Sequence, residues 1–279
     1  MTCLYRERIV QCGQYMTVHI YPVYANSNKT RRARYKPTTE VQAALNKKYS
    51  DEHLINLINT NFTSDDIKLE LTFEDDHLPK DEKEADRLSC NFLRRVKRKL
   101  LKMGRELKYV KKIERGSRSG RYHLHFIMTG GLDVKALADE WAPLGYVRRI
   151  APLMFDENGV TDLALYLVKD RIGYKRYSCS RNLKQPEVIE RTGRLSAKKV
   201  SALSEEYSNR EQYDALYPGY KVSDVKTQFN LLTQKDYIVA KFYREDANIY
   251  KNKPAWRRTP KKKDEFSTVE DWLSSANVS

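Results

Sequence analysis

Arg121-Tyr122-His123-Leu124-His125-Phe126-Ile127-Met128 alternates polar and apolar residues, with Gly116 and Gly120 before it and Gly130-Gly131 after it. That is the pattern of a β-strand bounded by turns. Residues two apart on a strand point to the same face, so His123 and His125 present two imidazoles side by side. Upstream, residues 107–114 form a second strand-like run that ends in Glu114. The turn between the runs predicts a hairpin over 107–129 that brings this carboxylate to the imidazole pair. Two His and one carboxylate with open positions suit a divalent-metal site for phosphate chemistry. With five His in the chain, a lone His-x-His is equally well read as structural; a second motif downstream changes the balance.

That motif is Leu163-Ala164-Leu165-Tyr166-Leu167-Val168-Lys169-Asp170, a helix-like segment in which Tyr166 and Lys169 lie three apart and share a face. A tyrosine hydroxyl is a poor nucleophile at its free pKa of about 10, and a nearby ammonium helps to generate or hold the phenolate. Taken alone, Tyr166 among Leu163, Leu165 and Leu167 reads as an amphipathic core position. Following Glu114 and the His pair, it reads as the nucleophile of covalent attack on a phosphodiester. Tyr174 is the candidate second nucleophile, although it lacks a matching Lys.

Together, the strand-borne His123-Leu124-His125, the upstream Glu114 and the later Tyr166-x-x-Lys169 resemble the HUH endonucleases. Within them the chain is similar to replication initiators of rolling-circle plasmids and small single-stranded DNA phages. Leu69-Glu70-Leu71-Thr72-Phe73 resembles the first of that family's three motifs, and all three occur in the family order. Asn61-Phe62 and Arg176-Tyr177-Ser178-Cys179-Ser180-Arg181 also resemble this phage-like branch, so the likeness covers residues 30–185. It implies an α+β fold: a central antiparallel sheet flanked by helices, carrying the metal ligands, with N-terminal and C-terminal extensions. It implies sequence-specific nicking and joining of single-stranded origin DNA through a 5′-phosphotyrosine. Glu114, His123 and His125 would hold Mg²⁺ or Mn²⁺, with Tyr166 as nucleophile and Lys169 beside it. Host helicase and polymerase are the further partners, and no small-molecule substrate or membrane is expected.

Composition agrees with a polyanionic partner. The 279 residues hold 52 Lys plus Arg against 37 Asp plus Glu, a formal charge of +15. Nineteen Tyr among those cations favour nucleic acid, since bases stack on aromatic rings. The cysteines at 3, 12, 90 and 179 form no C-x-x-C pair, which fits a reducing cytoplasm; that it is the cytoplasm of a bacterial host is what the resemblance implies. Arg6, Glu7 and Arg8 stand where a secretory signal has its apolar core. No Walker A motif occurs, so no fused P-loop helicase is expected.

Along the chain, the expectation is an N-terminal extension over 1–61, a catalytic domain over 62–185 and a mixed region with a basic tail over 186–279. One or two strands are predicted within 5–24, with His19 an ordinary strand residue, then a basic connector over 29–37. Two short helices follow, one marked by Val41, Ala44 and Leu45, the other by Leu54, Leu57 and Ile58. Next come a strand at Ile67–Phe73, an acidic loop containing Asp75, Asp76 and His77, and a long helix over 81–103 stopped by Gly104. That helix presents Ala85, Leu88, Phe92, Val96 and Leu100 to a core, and its other face carries Arg94, Arg95 and Arg98 as candidate phosphate contacts. Asp133 caps a helix in which Trp141 is a core anchor. A strand over 145–150 places Arg148 and Arg149 near the presumed DNA-binding face. Thr161 or Asp162 caps the Tyr166 helix, a polar helix runs over 196–213, and residues 237–243 alternate as a strand.

Two rivals remain on sequence alone. Relaxases and single-strand transposases share the constellation, though relaxases carry a three-His cluster and an N-terminal nucleophile. A basic, non-catalytic replication accessory protein would bind DNA without a covalent adduct.

Overall fold

Ten-residue alternating runs at Cys3–Cys12 (β1) and Tyr15–Tyr24 (β2) pair antiparallel, Cys12 opposite Tyr15. In the computed structural model, which describes residues 3–24, 40–116, 120–168, 176–231 and 233–250, they are followed by α1 (Glu40–Asn61), β3 (Ile67–Phe73) and α2 (Glu82–Lys102). The hairpin strands β4 (Tyr109–Arg115) and β5 (Tyr122–Met128) come next, then α3 (Val134–Trp141), β6 (Gly145–Pro152) and α4 (Thr161–Val168). The short β7 (Ser178–Cys179) and β8 (Glu187–Thr192) precede α5 (Ala197–Glu205), α6 (Arg210–Leu216), β9 (Tyr220–Asn230) and β10 (Lys235–Arg244). The fold is α+β, as the sequence predicts.

The strands form two antiparallel five-stranded sheets, in the orders β6-β3-β5-β4-β7 and β8-β1-β2-β10-β9. The first is the central sheet around the His-x-His strand. One of its faces buries Leu69, Leu71, Phe73, Leu124, Phe126 and Met128 against α2 and α3. Asp81 caps α2 by accepting from the Glu84 amide at 2.8 Å, and Gly104 follows its C-terminus at φ +70°, a conformation glycine adopts without strain. Trp141 is fully buried against Phe73 and Phe92, and its indole donates to the Thr72 carbonyl at 2.8 Å. Trp141→Ala removes that packing and the indole's bond to the Thr72 carbonyl. It should cost about 3–5 kcal/mol in urea unfolding. At Gly145 a Cβ would stand 2.0 Å from the Thr72 oxygen, so no larger residue lets β6 approach β3 here.

The second sheet joins segments far apart in sequence: β1 pairs with β8, and β2 with β10. Its core is Tyr5, Ile9, Val18, Ile20 and Phe242 beneath Val200, Leu203 and Tyr213 of α5 and α6. Helix α1 joins the two halves, because its Leu54 and Ile58, with Phe62 just past its end, share one core with Cys12 and Tyr15 of the second sheet and with Ile127, Ala164 and Leu167.

Several expectations are corrected. Residues 40–61 are one helix where the apolar spacing predicts two. Ser50 and Asp51 favour caps in isolation, yet Lys47 pairs with Asp51 at 3.1 Å within the helix, and Asp51 also pairs with Arg176. Residues 196–213 are two helices, broken at Tyr207-Ser208-Asn209, with the Tyr213 hydroxyl donating back to the Leu203 carbonyl at 2.7 Å. Helix α4 begins at Thr161 itself, so neither Thr161 nor Asp162 caps it: Asp162 lies in its first turn, and the Thr161 hydroxyl donates to the Asn158 carbonyl at 2.6 Å. The basic connector 29–37, the tail 251–263, Lys169 and Tyr174 lie outside the described residues.

Candidate active site

The second face of the central sheet is laid out by strand register. His123 of β5 stands opposite Glu114 on β4 and Thr72 on β3; His125 stands opposite Lys112 on β4 and Glu70 on β3. Residues directly opposite in an antiparallel pair share a face, so one row of Thr72, His123 and Glu114 lies beside one of Glu70, His125 and Lys112. The hairpin thus brings together the three residues that the sequence singles out. His125 is 8% exposed, and its Nε2 lies 3.1 Å from the Glu114 carboxylate. His123 is half-buried, and its Nδ1 is buried with no hydrogen-bond partner among the described residues.

Tyr166 arrives on α4, which packs on this same face. Ala164, Leu167 and Val168 of α4 are buried against α1 and the sheet, which turns Tyr166 outward. Two bonds set the approach to α4: Asn59 Oδ1 of α1 accepts from the Val160 amide at 3.2 Å, and the Tyr15 hydroxyl donates to the Asp156 carbonyl at 2.9 Å. The Tyr166 ring then stands edge-on to His125, centroids 6.2 Å apart, and is 60% exposed. The core reading of Tyr166 is thereby excluded, and its ring stands largely exposed beside His125.

Electrostatics at this face oppose one another. Burial above all, and the Arg148 charge at His123, lower both imidazoles below their ordinary range, which keeps them neutral and able to ligate at neutral pH. Burial raises the Tyr166 hydroxyl above its ordinary value, Glu114 and Glu70 raise it further, and Arg148 and Arg149 pull it back. Among the described residues, burial and charge together leave this hydroxyl above its ordinary value.

Among the described residues, no three His, Cys, Asp or Glu side chains are gathered as a set able to hold a metal ion. In kind, however, the donors fit a divalent cation: two neutral imidazoles, a carboxylate in contact with one of them, and a buried His123 nitrogen without a partner among the described residues.

The helix cations are not part of this arrangement. Arg94, Arg95 and Arg98 ride on α2, which covers the opposite face of the sheet. Arg95 and Lys99 both pair with Glu140 at 2.8 Å, fastening α2 to α3, and Arg94 donates to Asn91. Arg149 stands opposite Glu70 in the register and Arg148 lies 3.0 Å from the Glu70 carboxylate, so both reach the site face. Two residues escape the sequence reading: Glu70, inside the first motif-like strand, and Lys112, 3% exposed opposite His125. Their period-two spacing from Thr72 and Glu114 is the signal that marks them, once the strands' pairing is known.

The face thus gathers paired imidazoles, a carboxylate and a facing tyrosine on the antiparallel sheet of an α+β protein. Residues 67–171, spanning β3 to just beyond α4, match the family of replication-associated proteins of the ORF2 type. The match bears out, over this segment, the resemblance to phage- and plasmid-type replication proteins. No curated protein and no solved structure matches the chain. Among the described residues, no helix is long and apolar enough to cross a membrane.

Proposed function

We propose that this chain is a rolling-circle replication initiator that nicks and rejoins single-stranded origin DNA in a bacterial cytoplasm. The observation that carries the reading is the Tyr166 ring beside His125, brought there from a separate helix, within the segment that matches replication-associated proteins. The Tyr166 oxygen attacks the scissile phosphorus, a Tyr–O–P bond forms and the P–O3′ bond breaks. The hydroxyl proton leaves to water on the open side of the ring, and the departing 3′ oxygen takes up a proton. The products are a 5′-phosphotyrosine and a free 3′-hydroxyl. The linkage energy is retained, so attack by a 3′-hydroxyl reverses the step without ATP.

Glu114, His123 and His125 would hold Mg²⁺ or Mn²⁺, which when bound supplies positive charge for the phosphate oxygens. The Glu114 carboxylate also fixes the His125 ring through their 3.1 Å contact. Lys169, which follows Tyr166 closely in the sequence, would steady the phenolate. The 3′-hydroxyl is left for a host polymerase, with a host helicase opening the duplex.

The test is a denaturing gel. Protein and Mn²⁺ are incubated with labelled single strands tiled across the element that encodes it, and covalent protein–DNA adduct is scored. An adduct on one strand and position, lost with chelator, is expected. Tight binding to every strand with no adduct would instead support the non-catalytic accessory reading. Metal binding is checked independently: Mn²⁺ titrated into the protein and followed by its electron paramagnetic resonance signal should bind at one site. His123→Ala should weaken that binding by about 10-fold or more, consistent with loss of a ligand. Unchanged binding in that variant would remove the metal from this face.

A further inference from the structure

Strand β6 departs from regular pairing at the site. Glu70 of β3 is paired with Arg149, while the next residue, Leu71, is paired with Val147, so Arg148 is an extra residue in the strand. A bulge of this kind sets two residues against one and re-aims a side chain that regular alternation would send to the other face. The consequence is two consecutive arginines opposite Glu70, the residue that flanks His125. Arg148 Nη1 lies 3.0 Å from Glu70 Oε1, with the Arg148 side chain 56% exposed and that of Glu70 18% exposed.

As a staple between β3 and β6 this ion pair does little, since a pair with so exposed a cation is worth about 0–1 kcal/mol. Backbone pairing along both strands already holds them. What the bulge achieves is placement: a solvent-facing guanidinium on the face that holds Tyr166, His123 and His125. Its partner in the DNA-free protein is a carboxylate, whose two oxygens mimic the geometry of a phosphate towards an arginine fork.

We propose that Arg148 binds a backbone phosphate of the single strand next to the bond that Tyr166 attacks, and that Glu70 occupies the phosphate's place until DNA arrives. The inference rests on the reading of this face as a single-strand DNA site. Binding exchanges one ion pair for another, so Glu70 weakens general attraction for DNA and keeps Arg148 oriented until a strand displaces it.

The test is carried out in the Tyr166→Phe protein, so that binding is read without covalent trapping. A labelled oligo-dT strand is titrated by fluorescence anisotropy over a range of salt. Each phosphate contact on a single strand contributes about 0.7 to the slope of log K against log salt. Arg148→Gln should therefore flatten the slope by about 0.7 and weaken binding several-fold, while Arg148→Lys retains the slope. Glu70→Gln should tighten binding several-fold, and this gain should vanish when Arg148→Gln is also present. Thermal melting of each variant verifies that it is folded. A slope unchanged by Arg148→Gln, or an equal gain from Glu70→Gln in both backgrounds, overturns the proposal. The wild-type adduct assay separates the two ideas: an adduct with no Arg148 effect on slope leaves the nickase standing and sinks this assignment. Coupling without an adduct keeps the phosphate site and sinks the nickase.

Discussion

Tyr166→Phe is expected to abolish adduct formation while leaving the protein as stable as the wild type. The variant deletes one oxygen from a ring that is 60% exposed, and the edge-on contact with His125 is made by the ring. Among the described residues no buried group loses a partner, so the melting temperature should move by no more than about 1–2 °C. Loss of a covalent nucleophile, by contrast, removes the reaction route itself, and a fall on the order of 10⁴-fold or more in adduct yield is expected. DNA binding should be retained within about threefold, because the phosphate and base contacts survive. The same gel checks the outcome. An adduct that persists in Tyr166→Phe would strip this residue of its role and transfer it to Tyr174, the next tyrosine in the sequence.

The largest effect on stability outside the central sheet is expected at Glu7. It lies between Tyr5 and Ile9 on the buried face of β1 and is 1% exposed. Arg194 Nε donates to one carboxylate oxygen at 2.6 Å, a second Arg194 nitrogen donates to the other, and the Tyr217 hydroxyl donates at 2.6 Å. Arg194 also stacks over the Tyr217 ring at 5.3 Å. Glu7→Ala leaves a buried hydroxyl and a partly covered guanidinium without their acceptor, at a cost of about 3 kcal/mol. For a chain of this size that is a fall of roughly 6–12 °C in melting temperature.

The pH dependence follows from the same group. Burial by itself would raise the Glu7 carboxyl, but the hydrogen bonds from Arg194 and Tyr217 outweigh it and hold the carboxyl below the ordinary glutamate range. A depressed carboxylate contributes stability that is present above the unfolded pKa and is lost as pH falls through the folded one. Wild type should therefore be more stable than Glu7→Gln at pH 7, with the gap narrowing as pH drops below about 4.5. A constant gap between neutral and acidic pH in thermal melts would refute this role for the ion pair.

Features carried by local pattern are legible from the amino-acid sequence. The alternation of 121–128 places His123 and His125 on one face; Asp81 and Gly104 bound α2; Trp141 reads as core; Tyr166 follows on a helix. Each follows from periodicity or capping within a few residues, where backbone geometry alone constrains the answer. What depends on partners distant in sequence is decided only by tertiary structure. Residues 187–192 and 220–230 become strands although they are largely polar, because β8 and β9 lie at the sheet edges and bury little. Continuous α1 runs through Ser50 because packing at its C-terminal half and the Asp51 pairs override a weak local preference for a break. Glu70 and Lys112 join the imidazole face, Arg148 is turned onto it and Glu7 meets Arg194 only through strand register and long-range packing. Register is set by which strands find each other as apolar faces are buried, and no short window of sequence encodes that choice.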